Sequence, residues 1–395
     1  MRLLELPAGK SPREWGRIHG ESFRGEIKSL AAIRVYLCAK VGGFAGHDQV
    51  TAAAKAHLPI LERYHHALYE ELLGIAEGAI VPPEDIVVAN HYTDLRDLDP
   101  DPGTWLMAPT RDEPGMAGGS DSSAGAEGLG ANMERGGFTP PRGDDGCSML
   151  FAETPTGRIL AQTWDMHATA TPYVMVLGVP ESEDGPAARL LTVTGCLGMA
   201  GMNASRVAIA INNLYSTDAR LGIVWPAMVR RALHADTAKA ALDVIVKSPI
   251  GSGHHYFVAD RGAAFGVEAS GTRRKVIWDR DKIALGEPAR YCHTNHCLDG
   301  DVSTYSKVPA ASTTFDRMHW LEKDLDKHAV HDLDDAWKRL GSEEGWPRSI
   351  CTNMATPEAP HGAATCGAIA MNLDSGELWA QQGLIHNVAP EKWQL

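Results

Sequence analysis

The chain has 395 residues, 44% of them hydrophobic, enough for one large layered core or two ordinary domains. Its 37 basic and 50 acidic residues give a formal charge of −13, and no basic run exceeds Arg273-Arg274-Lys275, which excludes a nucleic-acid partner. No stretch reaches 18 apolar residues and the first ten residues lack an apolar secretory core, so a cytoplasmic protein without a membrane partner is expected.

Taken in chain order, Ser11-Pro12-Arg13-Glu14 provides an N-cap, a proline at the first helical position and a capping-box glutamate, predicting a helix through Trp15, Ile18, Phe23 and Ile27. Leu58, Leu61, Tyr64, Leu68, Leu72 and Ile75 recur at spacings of three and four, predicting a second helical segment over residues 51–79. Pro82-Pro83-Glu84-Asp85 opens a third. Residues 1–96 therefore form a helical N-terminal segment. From 97 to 146 the composition turns to Gly, Ser, Ala and Pro, as expected of a flexible linker.

Beyond residue 147 the pattern changes to short β-like runs at 147–153, 158–164, 173–179, 189–194 and 206–212, with turns expected at 155–157 and at Gly201-Met202-Asn203. Helices are expected at 223–235 and 237–246, strands at 255–259 and 264–269, helices at 313–325 and 332–340, and a hairpin over 365–372 and 377–382. Strands and helices in blocks, without strict alternation, indicate an α+β layered domain.

The seven cysteines (38, 147, 196, 292, 297, 351 and 366) are odd in number and irregularly spaced, unlike a disulfide framework. A buried, inert thiol is the ordinary fate of a cysteine. Cys147 is set apart by its place, directly after Gly146, where the linker meets the first strand. An N-to-S acyl shift at Gly146-Cys147 followed by hydrolysis would free a cysteine whose own α-amine acts as base. That amine titrates near ~8 and a thiol near ~8.5, so the pair is matched near neutral pH. Cys292-His293 with His296-Cys297 is the strongest zinc rival, but neighbours on a strand point to opposite faces and make poor joint ligands. No papain-like signature surrounds Cys147, and Gly128-Leu129-Gly130 neither follows a strand nor opens a helix, so a dinucleotide site is discarded.

Several motifs in order resemble one family. They are Trp15-Gly16 through Phe23-Arg24 with its Gly16/Gly20 spacing, Glu71-Leu72-Leu73-Gly74-Ile75-Ala76-Glu77-Gly78, Asp145-Gly146-Cys147-Ser148, Gln162 to Met166, Gly201-Met202-Asn203 leading to Asn212-Asn213, and His293-Thr294-Asn295-His296-Cys297. They are similar to the peptidase C45 group, which contains the acyl-coenzyme A:6-aminopenicillanic acid acyltransferases, in the N-terminal nucleophile hydrolase superfamily. The resemblance implies a four-layer αββα sandwich over 147–395, cleavage between Gly146 and Cys147, and Cys147 as nucleophile. It further implies that Asp165 holds the free amine, that Asn213 through its N–H and Asn295 through its side chain form an oxyanion hole, and that Arg317 lies beside the nucleophile. Ser270 and Trp164 are weaker substrate-pocket candidates. Ordinary alternatives stay open: a turn-capping role for Asp165, turn roles for Asn213 or its neighbour Asn212, a solvated Arg317 paired to Glu322 or Asp324, and a core role for Trp164.

The expected activity is hydrolysis of a small N-acyl amine or peptide-like amide through a thioester, with no external cofactor or metal. Acyl transfer from acyl-CoA or an amide to a small amine is the alternative, and a non-enzymatic binding protein on the same scaffold is a second. The two cleaved chains are expected to stay associated, and a homo-oligomer is left open.

Overall fold

The computed structural model describes residues 1–110, 146–284, 287–386 and 388–395. Most of the expected linker, including Gly128-Leu129-Gly130, lies outside the described residues. Strand β1 (Arg2–Glu5) precedes helix α1 (Pro12–Ser22), which starts on the expected capping box: Glu14 N–H donates to Ser11 Oγ and Ser11 N–H to the Glu14 carboxylate. Helices α2 (Arg24–Val41), α3 (His47–Tyr64), α4 (His66–Ala79) and α5 (Pro83–Asp97) follow. The single helical segment expected over 51–79 is thus two helices. The break falls at His65, whose backbone is extended (φ −160°, ψ 98°) and whose ring accepts from Leu68 N–H to start α4.

The second part supplies β2 (Met149–Thr154), β3 (Gly157–His167), β4 (Val174–Val179), β5 (Ala188–Val193), β6 (Ala200–Asn203), β7 (Ala208–Asn213), α6 (Trp225–Ala232), α7 (Ala238–Lys247), β8 (His254–Ala259), β9 (Ala264–Ala269) and β10 (Arg274–Asp279). It closes with β11 (Arg290–His293), α8 (Gly300–Ser303), α9 (Thr314–Lys327), α10 (Leu333–Leu340), β12 (Ala363–Asn372), β13 (Glu377–Gln382) and β14 (Glu391–Gln394). Gly201-Met202-Asn203, expected as a turn, is β6. The reversal comes at Ala204–Arg206, where Arg206 takes φ +69° and the Asn203 side chain accepts from Val207 N–H. Strands β1, β10, β11 and β14 were not foreseen; three of them have only four residues, too few to display a period.

Two sheets result, ordered β1-β4-β5-β6-β7-β8-β9-β10 and β11-β2-β3-β12-β13-β14. Side chains of β3 alternate between two cores. Leu160, Trp164 and Met166 join the main core between the sheets, whereas Ile159 and Ala161 join a second core under α9 and α10. Phe151 meets Phe257 across the gap at 5.1 Å between ring centres, and Gln162 Oε1 accepts from Ile211 N–H at 2.8 Å. Helices α6 and α7 cover the far face of the larger sheet, so the layers read αββα, an α+β architecture with the N-terminal helices packed around one end. Among the described residues no helix is long and apolar enough to cross a membrane.

The N-terminal helices are bound into this body by buried polar contacts. Glu71 and Arg230 form a two-pronged ion pair at 3.1 Å, Asn90 bonds Gly195 O and Leu197 N–H, and the His19 ring accepts from Gly195 N–H. Helix α1 lies backbone to backbone on α4 through the Gly16/Gly20 and Gly74/Gly78 pairs. A Cβ on Gly16 would stand 2.7 Å from Ile75 N, one on Gly20 2.6 Å from Ala79 N, and one on Gly74 2.9 Å from Arg17 N. Gly74→Ala is therefore expected to destabilise the chain by about 3 kcal/mol in urea denaturation, since the crowding outweighs the helix-propensity gain of about 1 kcal/mol. Unchanged stability would contradict this packing.

Candidate active site

Strand register decides what surrounds Cys147. The β2/β3 pairing of Met149 with Gln162, continued outward, places Ser148 opposite Thr163, Cys147 opposite Trp164 and Gly146 opposite Asp165. Ser148 N–H donates to Thr163 Oγ1 at 3.0 Å and Gly146 N–H to Asp165 O at 3.4 Å, so the ladder runs through the Gly146–Cys147 bond. The Cys147 thiol turns toward the main core, 3.8 Å from Asp165 O. The Asp165 side chain is on the other face, alongside Gly146: a Cβ on Gly146 would lie 3.3 Å from Asp165 Oδ2. The carboxylate thus faces the peptide bond before Cys147 and does not face the thiol, because a shift of one residue along a strand reverses the face.

Arg317 is the largest side chain buried to this degree in the described molecule. It is carried on the first turn of α9, which docks on the segment after β11: Asn295 N–H donates to Thr314 Oγ1 at 2.7 Å, and Thr294 Oγ1 donates to Thr314 O at 3.0 Å. Arg317 Nε donates to Thr313 Oγ1 (2.9 Å), Nη1 to Cys147 O (2.9 Å) and Ser148 Oγ (2.8 Å), and Nη2 to Asn295 Oδ1 (2.9 Å). With its oxygen so occupied, the Asn295 amide has one orientation, and Nδ2 donates to Asn213 O at 2.9 Å. Cys147, Asp165, Asn213, Asn295 and Arg317 therefore converge on one end of the sandwich. Arg317 is not a solvated helix residue.

Asn212 is a member of the cluster that motif reading left as an ambiguity with Asn213. Its Nδ2 donates to Cys147 O at 3.0 Å, and its Oδ1 accepts from His255 Nδ1 at 3.0 Å. His255 stacks on His293 at 3.7 Å, and His293 bonds Glu268, which also accepts from Leu298 and Asp299 N–H. Glu268 so anchors the loop that carries Asn295. In the sequence this layer was signalled by the two adjacent asparagines and by His293 in the motif that carries Asn295; His255 and Glu268 lie in no motif.

Ser270 stands apart from the cluster, its hydroxyl donating to Asp218 at 2.8 Å. Trp164 is buried between the sheets beside Cys147. In the His/Cys cluster, Cys292 meets Met318 of α9 while His293 points the other way to Glu268, and no group of described residues has metal-holding geometry.

Burial pushes the Asp165 carboxyl up to about 7, and the Arg317 charge and the neighbouring Thr365 and Thr163 hydroxyls pull it down less. Burial also lowers the Arg317 pKa, against the pull of Asp165 and Cys147.

Residues 152–370 match the family model for acyl-coenzyme A:6-aminopenicillanic acid acyl-transferase, more than half of the chain, including Asp165, Asn213, Asn295 and Arg317 and starting just after Cys147. The chain belongs to this family. It is 24% identical over 363 residues to the 40 kDa form of the acyl-coenzyme A:6-aminopenicillanic-acid acyltransferase of Emericella nidulans, spanning 88% of this chain and 84% of that one. Among solved structures, a conjugated bile acid hydrolase variant from Clostridium perfringens aligns over 63% of this chain and 92% of its own at 13% identity (TM-score 0.42). Penicillin V acylase from Agrobacterium tumefaciens aligns over 62% and 84% at 11% identity (TM-score 0.32). Family membership places the chain among enzymes of acyl-group and amide chemistry.

The raised Asp165 carboxyl has a consequence for stability. Its folded pKa lies above the unfolded value of 3.8, so the neutral acid favours the intact fold below about pH 4 and that advantage is lost as pH rises through about 7. In the Cys147→Ala background, the stability difference between the Asp165 and Asp165→Asn chains, measured by chemical denaturation at each pH from 4 to 8, is expected to shift against Asp165 by up to about 4 kcal/mol, a comparison in which the opposing contribution of the buried histidines cancels. A difference that does not change with pH would refute the assignment.

Proposed function

We propose that the chain is a self-processing cysteine amidohydrolase that cleaves a small N-acyl amine or peptide-like amide through a thioester on Cys147. One observation carries this reading: a buried carboxylate that forms no ion-pair contact among the described residues lies beside the Gly146–Cys147 peptide bond, where cleavage would place an ammonium group. In the maturation step the Cys147 thiolate attacks the Gly146 carbonyl carbon. The C–N bond breaks, the nitrogen takes a proton to become the Cys147 α-amine, and water hydrolyses the thioester to the Gly146 carboxylate and the thiol.

The new amine then lies next to Asp165, which orients it and gains the counter-charge it lacks in the intact chain. In turnover the amine takes the thiol proton, sulfur attacks the acyl carbon, and the same proton leaves with the departing amine. Water, activated by the α-amine, hydrolyses the resulting thioester. Asn295 Nδ2 has a second N–H beyond the one given to Asn213 O, and with the Asn213 N–H it serves the oxyanion. Arg317 and Asn212 hold Cys147 O and so fix the nucleophile's backbone. The contacts of Glu71, Asn90 and His19 with the second part support two chains that remain together after the cut. A small amine reaching the thioester before water would turn the same intermediate to acyl transfer, the activity in the name of the Emericella relative.

Purified wild type is expected to give two masses in denaturing mass spectrometry, for residues 1–146 and 147–395, and Cys147→Ala a single 42.5 kDa chain. On an amide panel, Asn295→Ala should lower kcat by about 10²–10³, and Cys147→Ala should abolish turnover. Wild-type rates in Cys147→Ala would sink the proposal.

A further inference from the structure

The amide that holds the Cys147 carbonyl is itself held. Asn212 Nδ2 faces two carbonyl oxygens, Cys147 O at 3.0 Å and His293 O at 3.4 Å, and a carbonyl oxygen only accepts. The amide therefore has one orientation, and its Oδ1 takes a proton from the ring nitrogen 3.0 Å away, His255 Nδ1. His255 is fully buried, and burial, with a smaller contribution from His293, pushes its pKa well below the ordinary histidine value. A neutral ring that donates from Nδ1 accepts at Nε2, and Tyr291 Oη lies 3.1 Å from that nitrogen. Every donor in the row thus points the same way, from the Tyr291 hydroxyl to His255, to the Asn212 amide, to Cys147 O.

Strand pairing sets this row in place. Asn212 and His255 are direct partners in the β7/β8 ladder, so their side chains share one face of the larger sheet. Tyr291 comes from β11, which pairs with β2 in the smaller sheet, so the row spans the gap between the sheets twice and ends beside the strand that Cys147 leads into. A Cβ on Gly266 of β9 would stand 3.3 Å from His255 Nε2 and 3.4 Å from Tyr291 Oη, so bare backbone leaves room for their bond. The His255 ring lies on that of His293 at 3.7 Å and 10° from parallel, which holds its plane. At the far end, Cys147 O belongs to the peptide unit joining Cys147 to Ser148, whose N–H donates to Thr163 Oγ1. In the intact chain the Gly146 peptide restrains Cys147 from the other side; once it is cut, the unit held by Asn212 and Arg317 is the only covalent attachment of the nucleophile.

We propose that His255 is a positioning residue for the nucleophile: its Nδ1–H, directed by the Tyr291 hydroxyl at Nε2, locks the Asn212 amide onto Cys147 O and so fixes the peptide unit from which the thiol and the new α-amine project. It acts through Asn212 and does not touch the sulfur. Aligned donors polarise one another, which strengthens the last bond of the row. A displacement of the thiol by about 1 Å costs up to about 10²-fold in rate, and the loss falls on kcat because the row makes no contact that binds substrate. That this placement serves catalysis rests on the amidohydrolase reading of Cys147; the proton order of the row does not.

Two measurements test the two parts. In wild type labelled with ¹⁵N in its histidine rings, with His255→Asn identifying the signal, nuclear magnetic resonance is expected to show His255 as a neutral ring protonated at Nδ1. A ring protonated at Nε2, or at both nitrogens, overturns the proposal. On the amide panel, His255→Leu, which has no donor, is expected to lower kcat of the cleaved enzyme by about 10-fold or more with KM within about 2-fold of wild type. In His255→Asn a side-chain amide N–H replaces Nδ1–H, and kcat should return to within about 3-fold of wild type, even though the smaller side chain leaves a cavity and lowers the melting temperature. Wild-type kcat in His255→Leu overturns the proposal, as does an equal loss in both variants, which would mark a space-filling role. If His255→Leu does not fold, His255→Met supplies the same donor-free comparison. Absence of amide turnover in the wild type would instead count against the Cys147 mechanism and leave the ring-protonation result standing.

Discussion

A single guanidinium, that of Arg317, joins four chain segments: the first turn of α9, the start of β2, the loop after β11 and, through Asn295, the end of β7. A planar group with donors on three nitrogens can hold Cys147 O, Ser148 Oγ, Asn295 Oδ1 and Thr313 Oγ1 in one rigid arrangement, which a flexible ammonium on a single point could not. The hydrogen bonds offset the desolvation of the guanidinium, and the geometry they impose fixes the backbone at Cys147 and the orientation of the Asn295 amide. Glu268, bonded to His293 and to two backbone N–H groups, steadies the same loop from behind.

This end of the sandwich holds charges that are only partly balanced. Asp165 has Arg317 in electrostatic range but, among the described residues, no ion-pair contact, and Arg34 forms no ion pair among the described residues. Elsewhere the same fold pairs its buried charges closely, as with Glu71 and Arg230. The contrast separates groups that serve cohesion from groups with unused capacity. A carboxylate beside a peptide bond fits a nascent amine.

Legibility from sequence followed how local each feature is. The capping box of α1 and the glycine pairs of α1 and α4 lie within short stretches, and the chemistry they encode, a cap and a close helix crossing, needs only neighbours in sequence. Cys147, Asp165, Asn295 and Arg317 sit in short motifs and could be named. The face of Asp165 could not, because it depends on a β2/β3 register that a hydrophobic pattern does not fix to one residue. β6 was read as a turn because Gly201 and Asn203 are turn-forming residue types, yet the strand pairs with β5 and the real turn sits three residues later. His255, Glu268 and Arg34 have no motif; each acquires meaning only from side chains distant in the chain.

The amino-acid sequence by itself determined the α+β class, the position of the cysteine after a glycine, and the residue types available for acyl chemistry, because periodicity, caps and short motifs are properties of neighbouring residues. Tertiary structure alone decided that Asp165 faces the Gly146–Cys147 bond, that Asn212 joins Arg317 on the Cys147 carbonyl, and that Arg34 is buried with no ion pair among the described residues. The physical reason is that burial and electrostatics are set by which segments pack together, and a charge is uncompensated only relative to everything that surrounds it.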